Sequence, residues 1–191
     1  GGSLSVALES PYYAKNAVTD RVLTLRELVL SQTHQGSTLP DTADAAAASL
    51  EYGHGRLGVD QVSAGGFDNL AVLSDGMLGF DGDVSLKMGQ SLRLYSGAMG
   101  LTEQAAANSR INLSAPYLLL AGILEPLEAK DQYLHPVLTT GMSQRTSQAL
   151  FAANANLIDV RGNVLFGNNS NLPLSDTSLV NVDRRGFDDV Q

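Results

Sequence analysis

The apolar residues of this chain fall in short alternating pairs rather than in long runs. From Gly55 to Ser96 the pairs are Leu57/Val59, Leu70/Val72, Leu78/Phe80, Val84/Leu86 and Leu92/Leu94, with Gly, Asp, Asn or Ser in almost every gap. Period-two alternation puts both members of a pair on one side of a strand. Strands this short, closed by turn residues every ~8–12 positions, predict many small strands. One pair cannot bury itself, so each needs a similar pair above and below it, which is the logic of a solenoid. Leu70, Val72, Leu92 and Leu94 are expected to point inward.

The pattern returns outside this stretch. Leu4, Val6 and Leu8 alternate until Pro11, which cannot donate to a ladder. Ile111/Leu113, Leu118/Leu120, Ile158/Val160 and Val164/Phe166 read as further strands, as do Leu179, Val180 and Val182. Residues 97–109 read as a loop with one helical turn near Glu103–Ala107, and Asn168–Pro173 as a turn or loop. Two excursions, at about 14–52 and 123–148, break the alternation. In the first, residues 17–32 fit a helix or two strand pairs, Leu23/Leu25 and Leu28/Leu30, and strand is favoured. Asp41 is a candidate cap for a short helix over Thr42–Leu50.

Two motifs recur. Leu8-x-x-Pro11-Tyr12 matches Leu113-x-x-Pro116-Tyr117, and Gly66-Phe67-Asp68-Asn69-Leu70 matches Gly186-Phe187-Asp188-Asp189-Val190. The glycines suit a positive φ or a close backbone approach, and Phe67 and Phe187 are expected at equivalent places in successive coils. Leu70, Leu92 and Leu113 suggest a coil of about 20 residues, inside the range that marks solenoids.

Composition narrows the classes. At 191 residues with 43% hydrophobic and 17% charged residues, the chain can bury a core of its own. Its net charge of −8 argues against a nucleic-acid surface and against docking on an anionic membrane. No apolar run is long enough to span a bilayer. Cysteine is absent, which removes disulfides, thiolate zinc sites and a cysteine nucleophile. We read the chain as one domain over 1–191, an internal segment of a longer protein.

Candidate chemistry is sparse. Asp81 and Asp83 flank Gly82 and fit a turn better than a carboxylate pair. They do not repeat as a calcium-binding motif would. His34, His54 and His135 lie in predicted loops without metal-ligand spacing. No catalytic residue, metal site or cofactor is predicted. Tyr12, Tyr13 and Tyr117 could form an aromatic contact patch. Partner contacts are expected on the excursions, at Arg21, Arg26, His34, Tyr133 and His135, because loops on a rigid scaffold carry recognition.

The runs Ala64–Leu70, Phe80–Leu86, Gly89–Leu94, Ile111–Tyr117 and Asn156–Gly162 together resemble bacterial filamentous-haemagglutinin-like exoproteins, the large secreted partners of two-partner secretion systems. The resemblance implies an all-β fold, a right-handed parallel β-helix with two irregular excursions. It also implies export through an outer-membrane transporter, a secreted or bacterial cell-surface location, and adhesion to a receptor or glycan on a host or neighbouring cell. A receptor-binding or shaft segment of a contact-dependent growth-inhibition effector is a second reading, and a polysaccharide-active β-helix enzyme a third. With only 12 scattered Lys and Arg residues, the non-enzyme reading is favoured.

Overall fold

The structure is a computed structural model that describes residues 1–8, 27–36, 41–49, 54–122, 147–175 and 178–191. Strands dominate it and most pair in parallel, as the all-β expectation requires. The elements run β1 (Ser3–Leu8), β2 (Glu27–Ser31), α1 (Ala43–Ser49), β3 (His54–Gly58), α2 (Val59–Ala64), β4 (Asn69–Asp81) and β5 (Val84–Lys87). They continue with β6 (Ser91–Leu101), β7 (Arg110–Ser114), β8 (Tyr117–Ala121), β9 (Leu150–Asn154) and β10 (Leu157–Arg161). An antiparallel hairpin of β11 (Asn168–Ser175) and β12 (Ser178–Arg184) precedes β13 (Asp189–Val190).

The parallel strands form three ladders. The first stacks β1, the front half of β4, the front half of β6, β8 and β10. The second stacks β3, β2 and the back halves of β4 and β6, and ends on a bridge from Met99 to Phe166. The third stacks β5, β7, β9 and β13. Strands β4 and β6 serve two ladders because each bends in its middle, where the register shifts between Ser74 and Met77. At that corner the hydroxyls of Ser74 and Ser96 donate to the carbonyls of Met77 and Ala98, both at 2.7 Å. The two buried hydroxyls thus have partners at the corner.

Apolar pairs line the interior in register. Leu4, Leu70, Leu92, Leu118 and Ile158 make one column, and Val6, Val72, Leu94, Leu120 and Val160 the next. Leu70, Val72, Leu92 and Leu94 are 1%, 0%, 0% and 0% exposed, so their inward direction is as expected. Four rings, Phe80, Phe151, Phe166 and Phe187, pack with centroids 5.1 to 6.1 Å apart. Edge and tilted contacts of this kind add to area burial.

Several expectations need correction. Leu57 and Val59 are not a strand pair: β3 stops at Gly58 and Val59 opens α2, which buries Val59 and Val62. Residues 97–101 continue β6 instead of looping. Asn168–Pro173 is strand, paired with β12. Leu92 pairs with Leu118, because Leu113 belongs to the third ladder. The two Gly-Phe-Asp motifs both lead into strands, but β4 starts in the first ladder and β13 lies in the third. Phe67 is also absent from the Phe187 ring cluster. Gly66 takes φ 65°, whereas Gly186 allows a close approach to the Phe166 carbonyl. Thr42, not Asp41, caps α1 by accepting from the Ala45 amide at 3.3 Å. His54 lies in β3 rather than in a loop.

Candidate binding face

Outward positions alternate with the inward pairs, and on the first ladder they carry side chains able to recognise a partner. Arg93 lies between Leu92 and Leu94, Tyr117 opens β8, and Asp159 and Arg161 flank Val160. Register places Arg93 beside Leu119, with Asp159 one strand further on, and Tyr95 beside Ala121, with Arg161 one strand further on; Leu119 and Ala121 between them are buried, 2% and 0% exposed. The Arg93 guanidinium sits 5.6 Å from the centre of the Tyr117 ring, a cation–π distance. The Tyr117 hydroxyl donates to Asp159 Oδ2 at 3.1 Å. Arg161 donates to that same oxygen from Nε at 2.9 Å and from Nη2 at 2.6 Å.

Hydrogen bonds from Arg161 hold the Asp159 carboxyl below its ordinary range, against a smaller desolvation that pushes it up. The Tyr117 hydroxyl lowers it further. Arg161 is raised in turn, first by its hydrogen bonds to Asp159. The result is a cluster of charged and aromatic groups, held by one another, around the buried Leu119. Below it, Ser91 donates to Asn69 Oδ1 at 2.7 Å and Asn69 donates to Gln90 Oε1 at 3.1 Å.

A second polar cluster is partly buried and structural. On the outer side of the second ladder, Glu27 is 4% exposed, and Met77 and Ala98 beside it are fully buried. Arg184, at the end of the hairpin, donates to Glu27 Oε1 at 3.1 Å and to Glu103 Oε1 at 2.9 Å. Burial pushes the Arg184 guanidinium down, but the two carboxylates outweigh it and leave it above its ordinary value. A Cβ at Gly100 would lie 2.8 Å from the Arg185 carbonyl, so the absent side chain lets the hairpin end close on β6. Beside it, Leu101, Thr102, Glu103, Asp183 and Arg185 line a shallow cleft.

Asp81 and Asp83 act as turn residues that also hold neighbours. Gly82 between them takes φ 82°; Asp81 accepts from the Thr102 hydroxyl at 2.9 Å and Asp83 from the Arg110 amide at 2.8 Å. Among the described residues, no three His, Asp or Glu side chains gather as a metal site. Of the five residues expected to touch a partner, His34 is exposed beside α2, its amide donating to Asp60 Oδ1 at 2.9 Å. Arg21, Arg26, Tyr133 and His135 lie outside the described residues, as do Tyr12, Tyr13 and most of both excursions. Arg93, Tyr95, Asp159 and Arg161 were not anticipated. Their signal was the residue between the two members of an inward pair.

The fold and this face define an all-β protein of stacked parallel strands, with a Tyr/Arg/Asp surface on one outer side. Comparison with models of protein families, with curated proteins and with solved structures returns no match. No helix among the described residues is long and apolar enough to cross a membrane.

Proposed function

We propose that the chain is a non-catalytic segment of a secreted, cell-surface adhesin of the filamentous-haemagglutinin-like kind, built as a right-handed parallel β-helix. The observation that carries this reading is the in-register stacking of apolar pairs along three parallel ladders. Such a stack lengthens by adding rungs and suits a rod that holds a contact surface away from the cell. In this reading the outer side of β6, β8 and β10 makes the contact with a receptor or glycan. Tyr and Arg there are the residue types that carry binding energy. The full-length protein would leave the cell through an outer-membrane transporter.

The test is adhesion of beads coated with this chain to host cells and to neighbouring bacteria. Arg93→Ala with Tyr117→Ala should abolish capture while the melting profile stays that of the parent. Capture that survives this change, but is lost when 14–52 or 123–148 is shortened, would move the contact to the excursions. No capture by the folded parent would remove the adhesin reading.

A further inference from the structure

The outer side of the first ladder carries the opposite sign to the chain as a whole. Register gives one outward column as Ser5, Ala71, Arg93, Leu119 and Asp159. The column beside it is Ala7, Leu73, Tyr95, Ala121 and Arg161. The third, from Ser3 through Tyr117 to Leu157, is uncharged. Arg93 and Arg161 therefore stand against Asp159 alone, on a chain whose net charge is −8. Asp159 is already engaged, since one of its oxygens accepts from Arg161 twice and from the Tyr117 hydroxyl. No carboxylate among the described residues pairs with Arg93, whose guanidinium has the Tyr117 ring as its neighbour.

We propose that Arg93 takes the carboxylate of an acidic sugar, and that the glycan bound by this face carries that group. The inference rests on the adhesin reading and names its ligand. A guanidinium beside an aromatic ring keeps its N–H fork available, and that fork matches the two oxygens of a carboxylate. Arg93 is exposed, so the ligand reaches it without any rearrangement of the stack. Next to it, Tyr95 and Tyr117 are half-buried and present broad, rigid contact area at little entropic cost. The rest of the setting suits a sugar. Asn69 and the exposed Gln90 lie beside this cluster, joined through the Asn69 amide at 3.1 Å. Their amides keep further donor and acceptor capacity for hydroxyl groups. Ala71 and Leu73, half-buried on the β4 side of Arg93 and Tyr95, form a low apolar floor for a ring.

Charge also limits the ligand. A densely sulfated polymer would gain from Arg93 and Arg161 but meet Asp159 between strands and the field of a strongly acidic chain. A single carboxylate on an otherwise neutral sugar uses the one guanidinium that lacks an acidic partner and avoids that cost.

The experiment is a titration of the whole chain with sialyllactose, followed by calorimetry and by the NMR signals of the Arg93 guanidinium and the Tyr117 ring. The sialyllactose methyl ester, dextran sulfate and a tri-glutamate peptide are the comparison ligands. Sialyllactose should bind and shift both signals, and the methyl ester should bind at least tenfold more weakly. Arg93→Gln should cost at least tenfold and Arg93→Lys severalfold, with melting profiles like that of the parent. Asp159→Asn should strengthen binding, because it removes the one negative charge of the face. No binding of sialyllactose, equal binding of its ester, or dextran sulfate or tri-glutamate binding as tightly would overturn the inference. These outcomes leave the adhesin reading standing if coated beads still capture cells; absence of capture removes that reading by itself.

Discussion

Leu92 is the side chain whose loss best measures the stack. It is 0% exposed and lies in register between Leu70 and Leu118, themselves 1% and 0% exposed. Leu92→Ala removes three carbons, about 2.4 kcal/mol at roughly 0.8 kcal/mol per buried methylene. The neighbours above and below belong to strands tied on both sides by backbone hydrogen bonds, so the site closes little. A residual cavity raises the cost to about 3–4 kcal/mol, inside the range of about 2.7–5 kcal/mol for buried leucines. Urea unfolding with an unchanged denaturant slope reads this difference directly. Leu92→Asp should fare worse, since it places an unpaired charge in a dry interior. Val160 lies along the same inward side but is 61% exposed, and Val160→Ala should cost less than about 1 kcal/mol. A loss below about 1 kcal/mol at Leu92, or an equal loss at Val160, would refute the register.

Three further outcomes are expected. Glu27→Ala leaves the largely buried Arg184 without its main partner and should destabilise by about 3 kcal/mol in thermal or urea unfolding; Glu27→Met with Arg184→Met should recover most of that loss. Gly100→Val places side-chain atoms against the Arg185 carbonyl and should speed hydrogen exchange across 168–184 while β7 and β8 stay protected. Asp159 is held below the ordinary carboxyl range, so its contribution is present above that range and is lost as pH falls through the lower folded value; carboxyl NMR titration should show this, and Arg161→Gln should move the midpoint up.

The inward half of the fold was legible because alternation is a local property. Leu70/Val72, Leu92/Leu94, Ile111/Leu113 and Leu118/Leu120 each fix a strand and its inner side without knowledge of its neighbours. Pairing across the stack was not local. Leu92 faces Leu118 rather than Leu113 because the chain passes through a third ladder between them, which spacing alone does not count. Phe151 was overlooked because Ala152 and Ala153 beside it hide the alternation of β9. The hairpin at 168–184 was missed because Asn168–Pro173 has the composition of a loop, and its strand state comes from pairing with β12. The outer face of the first ladder was readable in principle. Arg93 and Asp159 each stand between two inward residues, so they must point out, but their convergence on Tyr117 depends on the register of three strands.

The central claim is parallel, in-register stacking, and the chain's lack of cysteine allows a clean test. Ser85 of β5 and Asn112 of β7 are exposed register partners in the third ladder. The pair Ser85→Cys/Asn112→Cys should oxidise to an intramolecular disulfide, because adjacent strands lie about 4.8 Å apart and a disulfide spans Cα separations of about 4.4–6.8 Å. The pair Ser85→Cys/Ser114→Cys, shifted by two residues, should remain reduced under the same conditions. Faster closure of the shifted pair, or of neither, would contradict the stack.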